Sequence, residues 1–597
     1  MGSVYNLSFK NVCYCPKSYY IPFSNKEPKQ ILKNVCGEFR GNELSAIIGL
    51  SGSGKSSLLD CLSGFREKNV SGSFMLNGSP VSKNAIKRIS SYVMQEHTLH
   101  TLLTINEIMN LSINLRDKEH LCDKEKEEKI RNMLEKLSIT SRSNTYIKDL
   151  SGGERKRVQI AVELVTDTSI LFVDECTTGL DSSASTQCIH MLQMLAKEGK
   201  TIICTIHQPS ASMLKMFDHI YALADGNCIY QGAGENLIHF FRELNLPCPE
   251  TYNPADFLVE LANNDYGLHN HRLTEKIENG NNLGYRHVEM LNNNNNSNSD
   301  SKHTKNENIQ ISSQSKKYAA SYFWQVYYIM CRSYLITSRD SSLFYIRFFI
   351  HVLVGLLFGH IYQDVGNKGT AIFDNYRYLV VSVVFLLYTS YHSLFIAFPI
   401  EFPIIKREHF NGWYSSQAYY TAFVIFDLPI LLLCCLSYTS ITYWMTDQPR
   451  ELNRFVMFVG FSIFMSIAAQ SLGIMVTALM NLKMANILGT FFLTPFFLFS
   501  SIMITTKDAL PLFQIFFYGN FLDCGLKGVV NSVLGFNRSK LKCDEIYCHY
   551  MDPKKVLRDF GANVDIFQAS SILLLYILFC QATSFILFRY RLKNFST

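Results

Sequence analysis

The sequence, 597 residues long, lacks features that mark several common classes of protein. Ten of its 17 cysteines precede residue 250, yet they form no CxxC pair and have no histidine at zinc-ligand spacing. They are therefore expected to be reduced thiols of a cytosolic domain. No basic face or aromatic-basic repeat accompanies the net charge of +6, so nucleic acid is not an expected partner. The N-terminus MGSVYNLSFK contains no apolar core, so no signal peptide is expected.

Charged residues are also scarce, at 18% of the chain, whereas hydrophobic residues make up 48%. The apolar residues are concentrated after residue 340. Because single domains usually contain about 100 to 200 residues, the length excludes one compact domain. The composition predicts a soluble half followed by a membrane half.

A glycine-rich loop follows an apolar run that is typical of a buried strand, Leu44–Gly49. Residues 49–57 match GxxxxGK[ST] in the strand-loop-helix context that this motif requires. The glycines let the backbone wrap phosphates, Lys55 neutralises their charge, and Ser56 is a magnesium ligand. The sequence therefore predicts ATP and Mg²⁺ as cofactors, with the nucleotide held by Gly49, Ser51, Gly52, Ser53, Gly54, Lys55, Ser56 and Ser57.

Polar residues follow three further strand-like runs. Gln95 comes after one run, where its amide could reach the metal and the attacking water. Asp174 and Glu175 end the run Ile170–Val173, so Asp174 can hold Mg²⁺ while Glu175 polarises a water against the γ-phosphate. His207 follows the third run; a lone histidine there is usually structural, but it comes last in the order that one nucleotide site needs. The predicted metal ligands are Ser56, Gln95 and Asp174.

The stretch Leu150-Ser151-Gly152-Gly153-Glu154 carries a second phosphate-binding signal. Two glycines leave backbone N–H groups free to approach a phosphate, and a helix that starts here directs its positive end the same way. Taken alone, such a stretch is more often plain helix capping.

These motifs occur in the order phosphate loop, Gln95, LSGGE, Asp174-Glu175, Gly179-Leu180-Asp181 and His207. That order resembles the ATP-binding cassette of ABC transporters. The resemblance implies that Gln95, Glu175 and His207 are catalytic, with His207 contacting the γ-phosphate. It also implies that Asp181 couples two nucleotide sites, and that Ser151, Gly152 and Gly153 bind an ATP held by a second chain. Cys176 stands where the family usually has proline, and Tyr14 is the one candidate to stack on adenine.

The domain order, cassette first and membrane half second, resembles the G subfamily of ABC half-transporters, the group of the white-type and sterol-exporter proteins. Further stretches at 205–210, 253–257 and 407–410 agree with it. The resemblance implies that the protein works as a homodimer or heterodimer with a second half-transporter. In such a dimer each ATP lies between the phosphate loop of one chain and the LSGGE of the other.

The expected fold is an α/β P-loop cassette followed by an all-α, six-helix transmembrane domain. The predicted parts are a cassette at 1–261, a disordered Asn-rich linker at 262–318, an amphipathic connecting helix at 319–341 and a membrane domain at 342–597. Six segments are long enough to span the bilayer: 343–362, 376–398, 420–445, 455–479, 485–504 and 566–588.

The cassette must be cytosolic to meet ATP, and an even number of spans returns the C-terminus to the cytosol. The polar stretch at about 505–565 then faces the exterior. Cys543 and Cys548 can close a small loop there, and the resembling family has a disulfide at this place, although two free thiols remain an alternative. Asn537 lies in a glycosylation sequon on the same side. We expect the protein to lie in the plasma membrane or in an intracellular vesicle membrane.

The resemblance also implies that the second and fifth spans line the substrate path. The residues predicted to line it are Phe385, Thr389, Phe499, Ile502 and Met503. A narrow apolar slot suits a lipid or a sterol-like hydrophobic molecule. Two alternatives remain. The first is a white-type heterodimer that moves pigment precursors. The second is a regulatory subunit, which would lack a catalytic residue, but no catalytic residue is missing from this sequence. Glu401, at the inner end of a span, is expected to pair with Lys406 or Arg407.

Overall fold

The computed structural model describes residues 4–16, 30–95, 98–117, 121–207, 209–249, 251–286, 318–502, 511–543, 545, 547–562 and 564–595. The chain forms two compact units. The first contains residues 1–328 and 406–415, and the second contains residues 329–405 and 416–595.

The first unit contains two β-sheets. Its strands are β1 Leu7–Tyr14, β2 Leu32–Phe39, β3 Leu44–Gly49, β4 Val70–Leu76, β5 Ser79–Pro80, β6 Ser90–Val93, β7 Ile170–Val173, β8 Thr201–Thr205, β9 His219–Ala224 and β10 Asn227–Gly232. An antiparallel sheet has the order β2-β1-β4-β5, and a six-stranded sheet has the order β10-β9-β3-β8-β7-β6. Strands β3, β6, β7, β8 and β9 run parallel in the larger sheet.

The register of the larger sheet brings the carboxyl ends of its central strands together. Ile47 of β3 lies opposite Thr205 of β8, and Val173 of β7 lies opposite both Cys204 of β8 and Val93 of β6. These strands are fully buried, as expected for parallel strands covered by helices on both faces. The loops that follow them therefore share one edge of the sheet, where open α/β sheets bind their ligands.

In the described part of this unit, ten α-helices accompany the two sheets. They are α1 Lys55–Ser63, α2 Lys83–Ile89, α3 Ile105–Arg116, α4 Asp123–Lys136, α5 Gly152–Leu164, α6 Ser182–Lys197, α7 Ala211–Leu214, α8 Leu237–Glu243, α9 Pro254–Ala262 and α10 Asn270–Lys276. The next helix, α11 Tyr322–Arg339, falls within the predicted connecting helix. It exposes Phe323, Trp324, Tyr327 and Tyr334 while burying Gln325 and Arg332.

The predicted linker begins too early. Residues 263–286 contain α10 and a short 3₁₀ turn, and they pack on the cassette instead of leaving it. The side-chain amide of Asn279 donates to the carbonyl of Lys33 and accepts from the N–H of Cys228, both at 2.7 Å. Such polar side-chain contacts hold a segment that hydropathy alone marks as solvated. Residues 287–317 of the predicted linker lie outside the described residues.

The second unit is helical. Its helices are α12 Ser342–Ile361, α13 Ile372–Phe410, α14 Ser416–Met445, α15 Leu452–Leu479, α16 Leu482–Leu498, α17 Pro511–Tyr518, α18 Phe521–Leu534, α19 Pro553–Asp559 and α20 Ile566–Phe595. Within the described part of the chain, five helices are long and apolar enough to cross a membrane, namely α12, α13, α14, α15 and α20. They coincide with five of the six predicted spans. The prediction of an α/β cassette followed by a helical domain is confirmed.

The remaining predicted span, 485–504, corresponds to the shorter helix α16. With 17 residues, α16 is roughly 26 Å long, below the thickness of about 30 Å that a span must cross upright. At its C-terminal end, the Asn520 amide donates to the carbonyls of Phe496 and Phe499, both at 2.7 Å. These bonds satisfy helix-end carbonyls that otherwise lack partners.

The stretch 505–565 is not a polar loop throughout, which corrects the sequence-based expectation. Helix α18 buries twelve of its 14 residues and packs on α15 and α20. Its charges are satisfied internally, because Lys527 Nζ lies 2.5 Å from Asp523 Oδ2 and the N–H of Ser501 donates to Asp523 Oδ1 at 2.8 Å. Because polar residues are spaced along α18, its hydropathy did not reveal that this helix is part of the buried core.

Three helices of this unit meet at one half-buried ion pair. Arg347 of α12 places Nη1 3.1 Å from Oδ1 of Asp427 on α14, and Gln470 of α15 donates to Oδ2 of the same carboxylate at 2.5 Å. Charged groups in membrane helices are stable only when they are paired or hydrated. We therefore expect this cluster to hold α12, α14 and α15 together.

Candidate functional site

The phosphate loop joins β3 to α1 through residues whose backbone requires glycine. Gly49, Gly52 and Gly54 have φ angles of 146°, 82° and 106°, in the region that side chains disfavour. A Cβ on Gly49 would lie 2.3 Å from the carbonyl oxygen of Leu223, whereas one on Gly52 would meet nothing within 4 Å. The loop is therefore packed on its inner side and open on its outer side. The side chains of Ser51, Ser56 and Ser57 are exposed or half-buried, and those of Ser53 and Lys55 are buried.

Lys55 lies at the centre of the loop. Its Nζ donates to the carbonyls of Gly49 at 2.9 Å and Leu50 at 2.8 Å. Burial lowers the pKa of its ammonium group, while the nearby carboxylates of Glu175 and Asp174 oppose that shift. A partly desolvated cation beside an open, N–H-rich loop is suited to bind an anion.

The carboxylate of Asp174 connects the loop to two neighbouring strands. Its Oδ1 accepts hydrogen bonds from the Ser56 hydroxyl at 3.1 Å and from the Thr205 hydroxyl at 2.7 Å. Lys156 of α5 donates to the backbone carbonyl of Asp174 at 3.2 Å. Asp174 thus lies at the shared edge of β3, β7 and β8, where the sheet register predicts it.

Glu175 and Gln95 meet across the ends of β7 and β6. Gln95 Nε2 donates to Glu175 Oε2 at 2.7 Å. Glu175 has a φ of 47°, an uncommon left-handed conformation, and its N–H is held by the Thr205 hydroxyl at 2.7 Å. The backbone of Glu175 is therefore fixed by its neighbours, and its side chain is directed toward Gln95. His207 is exposed two residues beyond the end of β8, at the same edge of the sheet.

These residues fit a magnesium ion. Ser56, Asp174 and Gln95 offer hydroxyl, carboxylate and amide oxygens, the ligands that Mg²⁺ prefers, and Ser56 already contacts Asp174. The buried Ser53 hydroxyl has no hydrogen-bond partner among the described residues, which leaves a polar atom available inside the loop.

Tyr14, the candidate adenine partner, is placed differently from the prediction. It is buried, its hydroxyl accepts from Arg66 at 2.8 Å, and the guanidinium lies 5.1 Å from its ring centre. Arg66 in turn binds Asp60 at 2.8 Å. Burial raises the pKa of Asp60 to about 6, against the opposing influences of Arg66 and a hydrogen bond from Tyr92. The Tyr14 ring is therefore engaged by Arg66 and is not presented to a ligand.

LSGGE forms the start of α5 and faces the loop that contains Asp181. Ser151 caps the helix by accepting from the N–H of Glu154 at 3.3 Å, and Glu154 Oε2 accepts from the N–H of Ser151 at 2.9 Å. A Cβ on Gly153 would lie 2.9 Å from Cβ of Ala184, so the glycine permits close packing on α6. Asp181 caps α6 through Ala184 N–H at 2.6 Å. Within the described residues, no hydrogen bond or ion pair joins LSGGE to the phosphate loop of the same chain.

Residues 406–415 belong to the first unit, although they follow the second predicted span. We refer to them as segment 406–415. Arg407 is completely buried; its Nη1 donates to the carbonyl of Thr98 at 2.5 Å, and its Nε lies 3.7 Å from Glu163 Oε1. Glu163 also pairs with Arg116 at 2.9 Å. Arg407 thus pairs inside the cassette, while the Tyr419 hydroxyl donates to Glu401.

Aromatic residues and one amide complete the attachment of segment 406–415. Phe410 packs edge-on against Phe65 and Tyr92, with ring centres 4.9 and 5.9 Å apart. The amide of Asn411 accepts from the N–H of Tyr92 at 2.9 Å and donates to its carbonyl at 3.0 Å. Sequence reasoning identified residues 407–410 only through the family resemblance and missed Asn411. A short run of polar and aromatic residues after an apolar span was the available signal.

The features predicted for the external side of the second unit are in part confirmed. Cys543 and Cys548 form a disulfide, which confirms that pairing and excludes the two free thiols. Asn537 is exposed in the turn after α18, where a glycan has room. Its glycosylation stays a prediction. Cys524 is buried within α18.

The structure gives the neighbours of four of the predicted cavity residues. Phe385 contacts His351 of α12 and Tyr438 of α14, and Thr389 faces His351. Phe499 packs on Phe516 and Phe517, Ile502 packs on the helical core, and Met503 lies outside the described residues. That these residues line a substrate path between two chains stays a prediction.

Comparison with known families agrees with both units. The family described as ABC transporter matches residues 32–178, which contain the phosphate loop and Asp174. Families described as ABC-2 type transporter match residues 207–270 and 325–534.

Individual relatives are similar over most of their length. ABC transporter G family member 7 of Arabidopsis thaliana is 30% identical over 508 residues, which are 82% of this chain and 69% of that protein. The broad substrate specificity ATP-binding cassette transporter ABCG2 of Mus musculus is 30% identical over 85% of this chain and 80% of its own. ABC transporter G family member 1 of Dictyostelium discoideum is 25% identical over 99% of this chain and 85% of its own. The chain is therefore an ATP-hydrolysing half-transporter of the membrane and belongs to the G family of ABC transporters.

Proposed function

We propose that this protein works as a dimer that uses Mg²⁺ and ATP to export a lipid or sterol-like hydrophobic molecule, with both chain termini in the cytosol. The proposal of a dimer rests on the separation of two phosphate-binding elements. The phosphate loop and LSGGE are both complete in one chain, but no hydrogen bond or ion pair among the described residues joins them. A second copy can supply the missing half of each site.

The chemistry centres on Glu175. Its carboxylate, oriented by Gln95 and by the fixed backbone beside Thr205, is placed to accept a proton from an attacking water. Lys55 holds phosphate oxygens in the loop, and His207 lies at the same edge to contact the terminal phosphate. Mg²⁺, when bound by Ser56, Asp174 and Gln95, would neutralise the negative charge that develops on the phosphates.

Movement of the cassette has a direct mechanical connection to the chain that follows the second span. Arg407 and Glu408 are completely buried in the first unit, and Arg407 binds the carbonyl of Thr98, three residues after Gln95. Ser415, at the end of the same segment, donates its N–H to Gln325 of α11 at 2.9 Å. A shift of the Gln95 region on nucleotide binding would therefore displace both segment 406–415 and the start of α11.

A hydrophobic substrate is supported by the exposed apolar surface of α16. Met484, Ile487, Leu488 and Phe491 follow helical spacing on one face, and Phe491 is 68% exposed. On α13, Tyr388 stacks on Phe497 of α16 at 5.7 Å, so both helices contribute to this aromatic region. No charged residue follows Lys483 on α16. We propose that this face lines the path between two copies.

Mixed dimers of defined composition test the shared nucleotide site. The variant Lys55→Ala disables a phosphate loop, and Gly153→Asp disables an LSGGE. When the two changes are on different chains of a dimer, one complete shared site remains and about half of the ATPase activity is expected. When both changes are on one chain with a wild-type partner, no shared site remains and the activity is lost. The opposite pattern would show that each cassette works alone.

Reconstitution in liposomes tests the substrate class. We expect sterols or phospholipids to stimulate ATPase activity, because the exposed face is apolar. Phe491→Ala should raise the half-stimulating concentration, whereas Phe349→Ala, at an equally exposed phenylalanine of α12, should not. Stimulation by tryptophan derivatives alone would contradict the lipid proposal and favour a pigment-precursor transporter.

A further inference from the structure

Tyr92 connects segment 406–415 to the carboxylate of Asp174. It belongs to β6, the edge strand of the six-stranded sheet, where it pairs with Phe172 of β7 on one side only. On the open side, Asn411 supplies both an acceptor and a donor to the peptide groups of Tyr92, at 2.9 and 3.0 Å. In this way a single side chain takes the place that a further strand would occupy. The backbone of Tyr92 is therefore tied to segment 406–415.

The side chain of Tyr92 is held equally firmly. Its ring stacks on Phe65 with centres 5.4 Å apart and an interplanar angle of 7°, and Phe410 packs against its edge. The ring is buried, so it cannot turn without displacing these neighbours. A displacement of Phe410 or Asn411 must therefore move the Tyr92 hydroxyl.

That hydroxyl lies between two carboxylates. It donates to Asp60 Oδ1 at 2.8 Å and lies 3.5 Å from Asp174 Oδ2. A phenol carries one hydrogen, so it satisfies one of these two acceptors at a time. Asp60 is already paired with Arg66 at 2.8 Å, and the other oxygen of Asp174 already accepts from Thr205 and Ser56. Among the described residues, the Tyr92 hydroxyl is the donor that can reach Oδ2 of Asp174, and it does so when its hydrogen turns from Asp60.

We propose that Tyr92 is a positioning residue that fixes the orientation of the Asp174 carboxylate and transmits the position of segment 406–415 to it. The inference rests on the proposed function, in which Asp174 is a magnesium ligand. It adds a route that runs through the hydroxyl of Tyr92 and not through Gln95. Metal binding at Asp174 and the position of segment 406–415 should then change together, because one hydrogen-bonded connection links them.

Full-length protein in lipid, with Tyr92→Phe as the variant, tests this connection. Phenylalanine keeps the stacking on Phe65 and Phe410 and removes only the hydroxyl. The matched control is Tyr230→Phe, which removes a buried hydroxyl that donates to the Ala233 carbonyl at 2.6 Å, outside this route. Asn411→Leu breaks the connection from its other end and carries the test if Tyr92→Phe fails to fold.

Two measurements avoid any dependence on hydrolysis. The first is the Mg²⁺ concentration that half-saturates binding of a fluorescent, non-hydrolysable ATP analogue. Loss of one hydrogen bond to a charged group should raise this Mg²⁺ concentration about three- to tenfold in Tyr92→Phe. The second is hydrogen exchange of residues 406–415 on addition of Mg²⁺ and the analogue. Its response should fall in Tyr92→Phe and Asn411→Leu, with no further fall in the double variant, and stay unchanged in Tyr230→Phe.

An unchanged Mg²⁺ midpoint in Tyr92→Phe, or an exchange response equal to that of the wild type, would overturn the inference. A response that falls equally in Tyr230→Phe would overturn it too, because the effect would then be general loosening of the cassette. Failure of the proposed function is separate. It would appear as retained ATPase activity in Glu175→Gln or as independent cassettes in the mixed dimers, neither of which involves Tyr92.

Discussion

The two units of the chain place their charged residues in different ways. In the cassette, Asp174 and Glu175 follow a buried strand and Lys55 begins the helix after another, where loops meet at one edge of a sheet. In the helical unit, Arg347 and Asp427 lie along helices and meet only because two helices pack together. The first arrangement has a local sequence pattern and the second has none. Charges that do chemistry are therefore easier to locate in this sequence than charges that hold helices together.

The largest expected effect tests the cassette side of this comparison. Glu175→Gln should lower ATPase activity at least about 100-fold, because the amide cannot accept the proton from water. Nucleotide binding should persist, since Lys55 and the loop are unchanged. Glu198→Gln, which removes an exposed carboxylate paired with Lys136, is the control and should leave turnover unchanged. Rapid turnover in purified Glu175→Gln would show that another group is the base.

Breaking the Arg347–Asp427 pair tests the helical side. Asp427→Leu should cost the second unit about 3 kcal/mol, because it leaves the half-buried Arg347 among apolar helices without its counter-charge. The double variant Arg347→Met and Asp427→Leu should recover most of that loss. Thermal unfolding in detergent, followed by size-exclusion chromatography, measures both. If the double variant were as unstable as the single one, the pair would not be the source of the effect.

The disulfide should have a smaller effect, confined to the helical unit. Cys543→Ser opens a loop of sequence separation 5 and should lower stability by about 2 kcal/mol. ATPase activity in detergent should persist, because the change lies in the second unit. Cys248→Ser, at a free cysteine of the cassette, is the control. An identical unfolding midpoint for Cys543→Ser and the wild type without reductant would contradict the expectation.

The smallest expected effect concerns pH and the cassette core. Burial lowers the pKa of His219 well below 6.5, and nearby Arg286 and Arg40 lower it further. The unfolded chain takes up a proton near pH 6.5 while the folded chain does not, so this residue makes stability fall as the pH drops below that value. His219→Phe should remove that part of the dependence, since a phenyl ring can replace the contact with Phe39. Unchanged slopes of unfolding free energy below pH 6.5 would contradict it.

Much of the candidate nucleotide site was predictable because its residues follow strands directly. Gly49, Gln95 and Asp174 each come at the end of an apolar run, and parallel strands bring such ends together. The contacts of Asn411 were not predictable, because they join residues 319 positions apart in the chain. Tyr92 itself resembles any aromatic residue of a buried strand. Its position between Asp60 and Asp174 depends on the packing of α1 against the sheet.

Prediction from the sequence has a similar limit in the helical unit. Hydropathy located α12, α13, α14, α15 and α20, because apolar length alone determines which helices can span a membrane. It did not detect the buried helix α18, whose Asp523 and Lys527 satisfy each other inside the fold. It also gave no indication of the contacts that Phe385 makes with α12 and α14.

The sequence by itself determined the chemistry of the cassette, the family and the places of five long apolar helices, because each depends on residues close together in the chain. The tertiary structure alone decided which groups hold that chemistry in place. Arg407 pairs with Glu163, Asn411 holds the backbone of Tyr92, and the Tyr92 hydroxyl lies beside Asp174. The physical reason is that a buried polar group must find a partner wherever the packing brings one, at any separation along the chain.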